Sequence, residues 1–330
     1  LNRGSSTDGS GAPAADANNL LIGGTTTANF DGKIDDFKIY NYALTGEEVK
    51  LDMNRSSSQV LGALGDNSGS ASNAASQEYC IPGDTSTCTA PMARWDFDEN
   101  KGTSAFDTSG NGNTGTLTSG PAWKPGYKSP GLSFDGSDDY VETASAWDDP
   151  RANFTWEAWF RPNENLNTGM SQNYRIIAGA FIDANNRDQL FYDKAAGALI
   201  FSVGVSGSFT STLTYTSTFS QNTWYHVAVT RSSNSWVMYV NGASANTATN
   251  AVTSTSGNRK SEIGRDGSGS VFSGIIDQVR IFNYARSAAQ VAYDYNRGGP
   301  VGWWKLDDCQ GASAYDSSGN SNTGTLTNTS

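Results

Sequence analysis

Apolar and polar residues alternate along short segments of the chain between residues 131 and 285, with the period of half-buried β-strands. The clearest segment is FTWEAWFRP, Phe154–Pro162, in which Phe154, Trp156, Ala158 and Phe160 share one face. Similar segments are GLSFDG, DYVETA, YRIIAGAFI, QLFYDK, GALIFSVG and GIIDQVRIFNYA. Two more, WYHVAVTR and WVMYVNG, are joined by SSNS, which predicts a hairpin. About ten short strands without helical periods between them predict an all-β fold, an antiparallel two-sheet jelly-roll sandwich.

One short helix is predicted after the last of these strands. Ser287 followed by Gln290 has the spacing of a capping box and precedes QVAYDYN. Thr45 and Glu48 repeat the same spacing near the start of the chain.

Two segments of the chain occur twice. The segment Gly32–Arg55 aligns without a gap to Gly274–Arg297, 242 residues later. The segment Asp107–Leu117, DTSGNGNTGTL, returns as Asp316–Leu326, DSSGNSNTGTL, 209 residues later. The order along the chain is therefore the end of one module, a complete module and the beginning of another.

These repeats divide the chain into four parts. Residues 1–55 are the C-terminal part of a module, and residues 56–91 form a linker rich in glycine and serine. Residues 92–297 are the complete module, and residues 298–330 begin a further one. The partial modules hold nothing that matches residues 122–240, so they are not expected to add up to a whole module. The chain is interpreted as part of a longer tandem array.

The amino-acid composition favours an extracellular protein over one that binds nucleic acid. Charged residues make up 17% and the net charge is −11, with a sequence pI near 4.5. Such a surface repels phosphate backbones, so nucleic acid is not an expected partner. No run of 18 apolar residues is present, so no membrane span is expected in this sequence. Few charges with abundant Ser, Thr, Asn and Gly are typical of an extracellular or cell-surface β protein.

Two cysteines support that location. Cys80 and Cys88 bracket the short loop IPGDTST, and a disulfide between them would indicate an oxidising compartment. The alternative is a pair of exposed thiols. Cys309 occupies the position of Asn100 in the complete module, so it is no part of the shared framework.

Six motifs together carry a family resemblance: ARWDFDENKGTSAFDTSGNGNTGTL, GLSFDGSDDYVE, FTWEAWFRP, TWYHVAVTR, WVMYVNG and GIIDQVRIFNYARS. They resemble the laminin-G-like, concanavalin-A-like jelly-roll domains of bacterial surface proteins. The resemblance covers the complete module, and both partial modules match its ends. It implies a jelly roll, often with a structural calcium ion, used for adhesion, for carbohydrate binding or as a spacer. It does not choose among these functions, because function lies in sites that differ between members of a fold.

A calcium site is predicted in the segment DTSGNGN. Asp107, Ser109, Asn111 and Asn113 alternate with small residues there, so a curled loop can direct several oxygens to one point. Calcium prefers six to eight oxygen ligands. The first and last strands of a jelly roll commonly lie side by side, which would bring Asp277 toward this loop, and the resemblance implies the same pairing of aspartates. The alternative is that these residues only form Asx turns.

The sequence gives little support to catalysis. His226 is the only histidine, and its strand context predicts a packed or half-exposed residue. A zinc triad is therefore excluded, and no serine lies in a nucleophile-elbow pattern. Asp138–Asp139 and Asp148–Asp149 are adjacent carboxylates, which point apart on a strand or turn and are usually solvated. We expect that the protein is not an enzyme.

Two classes of function remain. The first is a structural or adhesive protein of a microbial cell surface, a stalk, sheath or fibre. Its partners would be other copies of the chain, with Gly32–Tyr42 and Gly302–Leu306 adding to neighbouring sheets in a head-to-tail filament. The second is a lectin-like module, in which Trp147, Trp159 or Trp236 would stack against glycans. The alternative for these tryptophans is the core of the sandwich.

Overall fold

The structure, a computed structural model, describes residues 20–24, 30–40, 89–127, 129–143, 153–183, 185–251, 260–267, 269–296, 302–307, 311–318 and 322–327. Contacts divide the chain into two units, one formed by Leu1–Ile39 with Val301–Ser330 and the other by Tyr40–Pro300. We call them the smaller and the larger unit. Among the described residues, no helix is long and apolar enough to cross a membrane.

The described residues form twenty strands and one helix. In chain order the strands are β1 (Phe37–Ile39), β2 (Ala93–Trp95), β3 (Ser104–Ala105), β4 (Gly115–Thr118), β5 (Ala122–Pro125), β6 (Pro130–Asp135), β7 (Tyr140–Thr143), β8 (Phe154–Pro162), β9 (Tyr174–Asp183), β10 (Asn186–Asp193), β11 (Ala198–Val205), β12 (Ser208–Thr216), β13 (Tyr225–Ser232), β14 (Ser235–Val240), β15 (Ala243–Thr249), β16 (Lys260–Ile263), β17 (Ser273–Phe282), β18 (Gly302–Trp304), β19 (Ser313–Ala314) and β20 (Gly324–Thr325), and the helix α1 spans Ala288–Asn296.

The larger unit is a sandwich of two eight-stranded sheets. One sheet has the order β12-β11-β10-β9-β16-β7-β4-β3. The other has the order β15-β14-β13-β8-β17-β6-β5, with β2 also paired to β17. All of these pairings are antiparallel. Side chains of both sheets share one hydrophobic core, which confirms the predicted all-β, antiparallel jelly-roll sandwich.

Strand β8 lies at the centre of this core, with the bounds that the alternating pattern predicts. Its apolar face belongs to the core, and Trp156 meets Phe201 of the opposite sheet edge to face, with ring centroids 5.3 Å apart. Burial of each such aromatic side chain contributes roughly 1.5–3 kcal/mol. The other face of β8 is covered as well, since Glu157 and Trp159 are also buried.

Helix α1 covers that outer face and begins with the predicted capping box. The Ser287 N–H donates to Gln290 Oε1 at 3.0 Å, and the Gln290 N–H donates to Ser287 Oγ at 3.2 Å. Val291 of the helix packs against Ala228 and Tyr239 of β13 and β14. The helix therefore closes one side of the second sheet.

Two long strands were missed by the sequence analysis, β12 and β15. Each lies at the end of its sheet and consists mostly of Ser, Thr, Ala and Asn. An edge strand made of such small and polar residues carries little of the apolar alternation by which strands are recognised. The hairpin between β13 and β14 was predicted, and Ser232 pairs with Ser235 around a turn of two residues.

Several predictions lie outside the described residues. They concern the Cys80–Cys88 disulfide, the cap at Thr45 and Glu48, Trp147, the pair Asp148–Asp149, and Cys309.

Candidate functional site

The predicted metal loop, Asp107–Asn113, is organised by the carboxylate of Asp107. Asp107 Oδ1 accepts the N–H groups of Arg94 at 3.0 Å and of Ser109 at 2.9 Å. Its Oδ2 accepts the N–H of Asn113 at 2.7 Å and the Asn113 side-chain amide at 2.9 Å. A carboxylate offers about four lone-pair positions, so these bonds use both oxygens fully. We call this segment the Asp107 loop, and its bonds include those of the Asx turn that was the alternative to a metal site.

The other predicted ligands in the loop converge on a backbone carbonyl. The Met92 carbonyl accepts from Ser109 Oγ at 3.2 Å, from Asn111 Nδ2 at 3.1 Å and from Asn113 Nδ2 at 2.9 Å. The indole N–H of Trp95 donates to the Asn113 carbonyl at 3.0 Å. The structure thus brings the four loop residues together, and they fasten the start of β2.

A cleft of about 560 Å³ opens beside this loop. It is lined by Thr89, Ala90, Pro91, Met92, Ser109, Asn111, Asn113 and Asn283. None of these residues is charged. Their amide and hydroxyl groups can donate and accept hydrogen bonds.

The same arrangement occurs in the smaller unit, around Asp316. Asp316 Oδ1 accepts the N–H groups of Trp303 at 2.9 Å and Ser318 at 2.8 Å, and its Oδ2 accepts the N–H of Asn322 at 2.9 Å. The Trp304 indole N–H donates to the Asn322 carbonyl at 2.9 Å. Each bond lies 209 residues after its counterpart in the larger unit. We call the residues Asp316–Ser318 and Asn322 the Asp316 loop.

The strands next to the two loops are paired in equivalent ways. In the larger unit β17 pairs with β2 through Val279 and Trp95, Arg280 and Arg94, and Ile281 and Ala93. In the smaller unit β1 pairs with β18 through Phe37 and Trp304, Lys38 and Trp303, and Ile39 and Gly302. The repeat spacings of 242 and 209 residues map each pair onto its counterpart. We call this pairing of a closing strand with an opening strand the seam.

The seam of the smaller unit differs from the predicted use of the terminal strands. Gly32–Tyr42 and Gly302–Leu306 were expected to add to sheets of neighbouring copies. Here β1 and β18 pair with each other within one chain, because the closing and opening strands of the repeat are complementary. Pairing with other copies stays a prediction.

Asp277, the fifth predicted ligand, accepts a hydrogen bond from outside the Asp107 loop. It lies on β17 and is fully buried. Its Oδ2 accepts the Tyr127 N–H at 2.8 Å, and its Oδ1 has no hydrogen-bond partner. Burial raises the pKa of Asp277 to about 7, against the hydrogen bonds from the Tyr127 and Gln278 amides, and the charges of Asp98 and Asp96 raise it further. Asp277 Oδ1 can accept a cation, whereas both oxygens of Asp107 already accept hydrogen bonds. The ion predicted between the two aspartates stays a prediction.

Three further carboxylates approach one another in the segment FDGSDD. Oxygens of Asp135, Asp138 and Asp139 lie within 4.8 Å of one another. Asp138 is exposed as expected, but Asp139 is 3% exposed and accepts the Asp135 N–H at 2.8 Å. The prediction that both adjacent carboxylates are solvated is therefore wrong for Asp139, which turns inward to hold the end of β6.

The single histidine lies in a buried ionic network, so it is packed as predicted. His226 is 2% exposed, and its Nε2 lies 3.7 Å from Glu157 Oε2. Arg280 reaches Glu157 at 3.3 Å, and Arg286 reaches Asp294 at 2.5 Å. Burial raises the pKa of Glu157, but the imidazole of His226 and the charges of Arg280 and Arg286 outweigh it and lower that pKa to about 2. Glu157 is thus an ionised partner of Arg280.

Two of the three tryptophans proposed to stack against glycans are buried. Trp236 is 0% exposed and meets Phe154 in the core at 5.7 Å between ring centroids. Trp159 is 4% exposed and is stacked between Tyr127 and Tyr295, at 3.5 and 5.5 Å. Neither ring offers a face to a ligand. Trp236 packs in the core of the sandwich, which was the alternative, whereas Trp159 is buried on the outer face of β8.

Two exposed aromatic rings were missed by the sequence analysis. Phe106 is 57% exposed and Tyr315 is 60% exposed. They lie 209 residues apart, each directly before the aspartate of its loop. The aligned position of an aromatic residue in both repeats was a signal that could have drawn attention to them.

A laminin G family model, described as concanavalin A-like lectin/glucanases superfamily, matches residues 2–50 and 135–292. The chain belongs to this superfamily. No curated protein sequence matches it.

Solved structures share the fold of this superfamily member. Domain 4 of AbnA, an extracellular GH43 arabinanase from Geobacillus stearothermophilus in complex with arabinotriose, is 19% identical, with a TM-score of 0.54. That match covers 62% of this chain and 97% of the domain. The binding domain of Paraclostridial Mosquitocidal Protein 1 is 16% identical, with a TM-score of 0.50, over 63% of this chain and 52% of that one. At these identities the likeness concerns the fold alone.

Proposed function

We propose that this chain is a non-catalytic, structural or adhesive repeat protein on the outside of a microbial cell, forming part of a stalk, sheath or fibre. The observation that carries this proposal is the repetition of one device, the seam with its aspartate loop, in both units. The register and the loop hydrogen bonds agree between them. A repeated joint between strands suits a protein whose task is to connect modules.

The buried groups support the absence of catalysis. His226 is covered by Trp159 and Tyr295, and Glu157 is held in an ion pair with Arg280. A general acid or base must reach a substrate, and these groups do not reach the surface. Incubation of the full chain with arabinan, xylan and glucan should release no reducing sugar. Turnover above that of a heat-inactivated sample would contradict the non-catalytic assignment.

Immunogold electron microscopy of the parent cells tests the location. Antibodies raised against the chain should label the outside of the cell, with gold particles along surface projections. Gold confined to the cell interior would overturn the proposed function.

We further propose a structural calcium ion at Asp277, with Asp96 and Asp98 nearby. The ion would compensate a carboxylate that is buried with one oxygen lacking a hydrogen bond. It would add stability to the seam of the larger unit and would take no part in a reaction.

Carbohydrate binding is the second candidate function, and the exposed rings of Phe106 and Tyr315 favour it. Aromatic rings that lie open to solvent offer the apolar face on which a sugar stacks. If the chain is a lectin, Phe106→Ala should reduce retention on a glycan array at least tenfold. The matched control is Phe209→Ala, which removes another exposed ring, on β12. An array without any retained glycan would remove this candidate.

A further inference from the structure

The smaller unit contains a strand pair whose halves are far apart in sequence. The Asp36 carboxylate accepts a hydrogen bond from the Trp303 indole, and the two residues are 267 positions apart. The pair is short, with three residues on each strand. Two-stranded ribbons are only marginally stable in water, so such a pair can open and form again with another partner.

The side chains of this seam match β1 specifically to β18. The ring of Phe37 lies 6.0 Å from that of Trp304, and the ammonium groups of Lys38 and Lys305 lie over the Trp303 ring at 5.0 and 4.7 Å. A cation over the face of an aromatic ring is attracted by the ring's quadrupole, so these contacts favour the pairing of β1 with β18.

The larger unit has different side chains at the corresponding positions. Val279 stands in place of Phe37, and Arg94 stands in place of Trp303. A β1 strand beside β2 would keep Phe37 opposite a tryptophan, Trp95, but it would lose the contact of Lys38 with the Trp303 ring and place Lys38 opposite Arg94. The larger unit itself places Arg280 opposite Arg94, with Glu157 and Asp96 as their counter-ions. The Trp303 ring therefore gives β18 a contact with Lys38 that β2 does not offer, and this favours β18 as the partner of β1.

The edge of β1 away from β18 also distinguishes the smaller unit. In the larger unit the closing strand β17 is paired on both edges, with β8 on one side and with β6 and β2 on the other. The described residues of the smaller unit contain β1, β18, β19 and β20, and none of these takes the place of β8. In the described part of the smaller unit, the β1–β18 pair therefore has no counterpart of β8, the central strand that holds the corresponding seam in the larger unit.

We propose that the β1–β18 seam is a self-association site, at which β1 of one copy pairs with β18 of a second copy in the register of Phe37 with Trp304. This inference rests on the proposed function and names its partner, a second copy of this chain. The contact uses two different surfaces, so it is heterologous and extends copies head to tail. Pairing within one copy competes with an effective concentration on the order of 1 mM, so association grows where copies are crowded.

Disulfide trapping between two variants tests the site. Both are full-length chains that carry Cys309→Ser, one with Lys38→Cys and the other with Trp303→Cys. Mixed and oxidised over a range of concentrations, they should form dimers linked between positions 38 and 303, identified by mass spectrometry of the linked peptides. The linked fraction should increase with concentration.

A register control and a closure control accompany this experiment. Lys38→Cys mixed with Lys305→Cys places the second thiol two residues out of register and should give at least fivefold less linked dimer. The double variant Lys38→Cys with Trp303→Cys should give an intrachain link when dilute and a ladder of linked copies when concentrated. Circular dichroism of each variant should match that of the parent chain.

The opposite result would be clear. A double variant that forms only the intrachain link at every concentration, with a mixture no more linked than the out-of-register control, overturns the proposal. That outcome leaves the outer-surface label on cells untouched, so the proposed function would stand without this partner. A label inside cells would remove the proposed function even if the strands associate in the test tube.

Discussion

Each of the two units of this protein contains a seam, and the two seams are anchored differently. In the larger unit Arg280 of the closing strand reaches Glu157 of β8 at 3.3 Å, and both side chains are buried. In the smaller unit Lys38 holds the equivalent position and pairs with Asp36, two residues earlier, at 3.0 Å. The register of the seam therefore depends only on its two strands, whereas its anchorage depends on β8, a strand from another part of the chain.

The two ion pairs also differ in how much they stabilise the fold. A buried ion pair is strongly coupled to its surroundings, and loss of one partner leaves an uncompensated charge in the interior. The Asp36 side chain is 53% exposed, and ion pairs of that kind are worth at most about 1 kcal/mol. We expect the larger unit to resist unfolding far better than the smaller one.

The largest effect is expected from a substitution that removes the buried ion pair between β8 and β17 in the larger unit. Glu157→Gln removes the charge that faces Arg280 and should lower the free energy of unfolding by about 3–5 kcal/mol. Urea unfolding monitored by tryptophan fluorescence measures this. The control is Glu142→Gln, which removes a partly exposed pair with Lys260 and should cost less than about 1 kcal/mol. Equal losses in the two variants would show that burial of the network is not what anchors the seam.

The second prediction is that each aspartate loop stabilises only its own unit. Asp107→Ala removes the acceptor of the Arg94, Ser109 and Asn113 amides and should destabilise the larger unit by about 1–3 kcal/mol. Asp316→Ala should release the matching amides of the smaller unit and leave the larger unit unchanged. Amide hydrogen exchange of the two sets measures both effects. Faster exchange in both units after either substitution would contradict independent loops.

The third prediction concerns calcium, because Asp277 of the larger unit has a buried, unbonded oxygen and no described carboxylate of the smaller unit has one. Addition of the ion at 100 times its dissociation constant should stabilise the chain by about 2.7 kcal/mol. Calorimetry should show that EDTA reverses the shift in melting temperature and that Asp277→Asn abolishes it. Asp138→Asn, at an exposed carboxylate, is the control and should keep the response. An unchanged melting temperature in the unmodified chain would rule out the site.

The smallest effect concerns acid. Burial raises the pKa of Asp107, but hydrogen bonds from Ser109, Asn113 and Arg94 outweigh it, so its pKa lies below the ordinary value of 3.8. The pKa of Asp316 is lowered in the same way by bonds from Trp303, Asn322 and Ser318. A lowered folded-state pKa stabilises the folded form above pH 3.8, and that contribution is lost as the pH falls through the folded-state value.

Carboxyl carbon shifts in an NMR titration measure the two values. Both aspartates should titrate below 3.8, since both loops supply the same amide donors. A value at or above 3.8 for Asp316 alone would show that the loop of the smaller unit is not formed in solution.

Much of the fold was predictable from local patterns. The alternation in Phe154–Pro162 predicted β8, and the spacing of Ser287 and Gln290 predicted the start of α1. The repeat of Asp107–Leu117 at Asp316–Leu326 predicted two similar loops. The first two signals each lie within a few neighbouring residues, and the third comes from aligning the chain with itself. These predictions therefore need no knowledge of contacts between distant segments.

The candidate site was predicted less well, because its residues take partners from distant segments. A single ion shared by Asp107 and Asp277 stays a prediction, and the structure adds that Asp107 binds amides beside β2 and that Asp277 binds the Tyr127 amide. Trp159 was a candidate for glycan stacking, but Tyr127 and Tyr295 cover both of its faces.

The amino-acid sequence by itself determined the strand periodicity, the helix cap, the repeats and the sandwich class, since these follow from neighbours along the chain. The tertiary structure decided which carboxylates meet amides, which meet arginines and which remain without a partner. It also decided that the outer face of β8 is covered, because helix α1 and Tyr127 come to it from segments that are distant in sequence. Periodicity reports the two faces of one strand, whereas the order of strands in a sheet determines what each face touches.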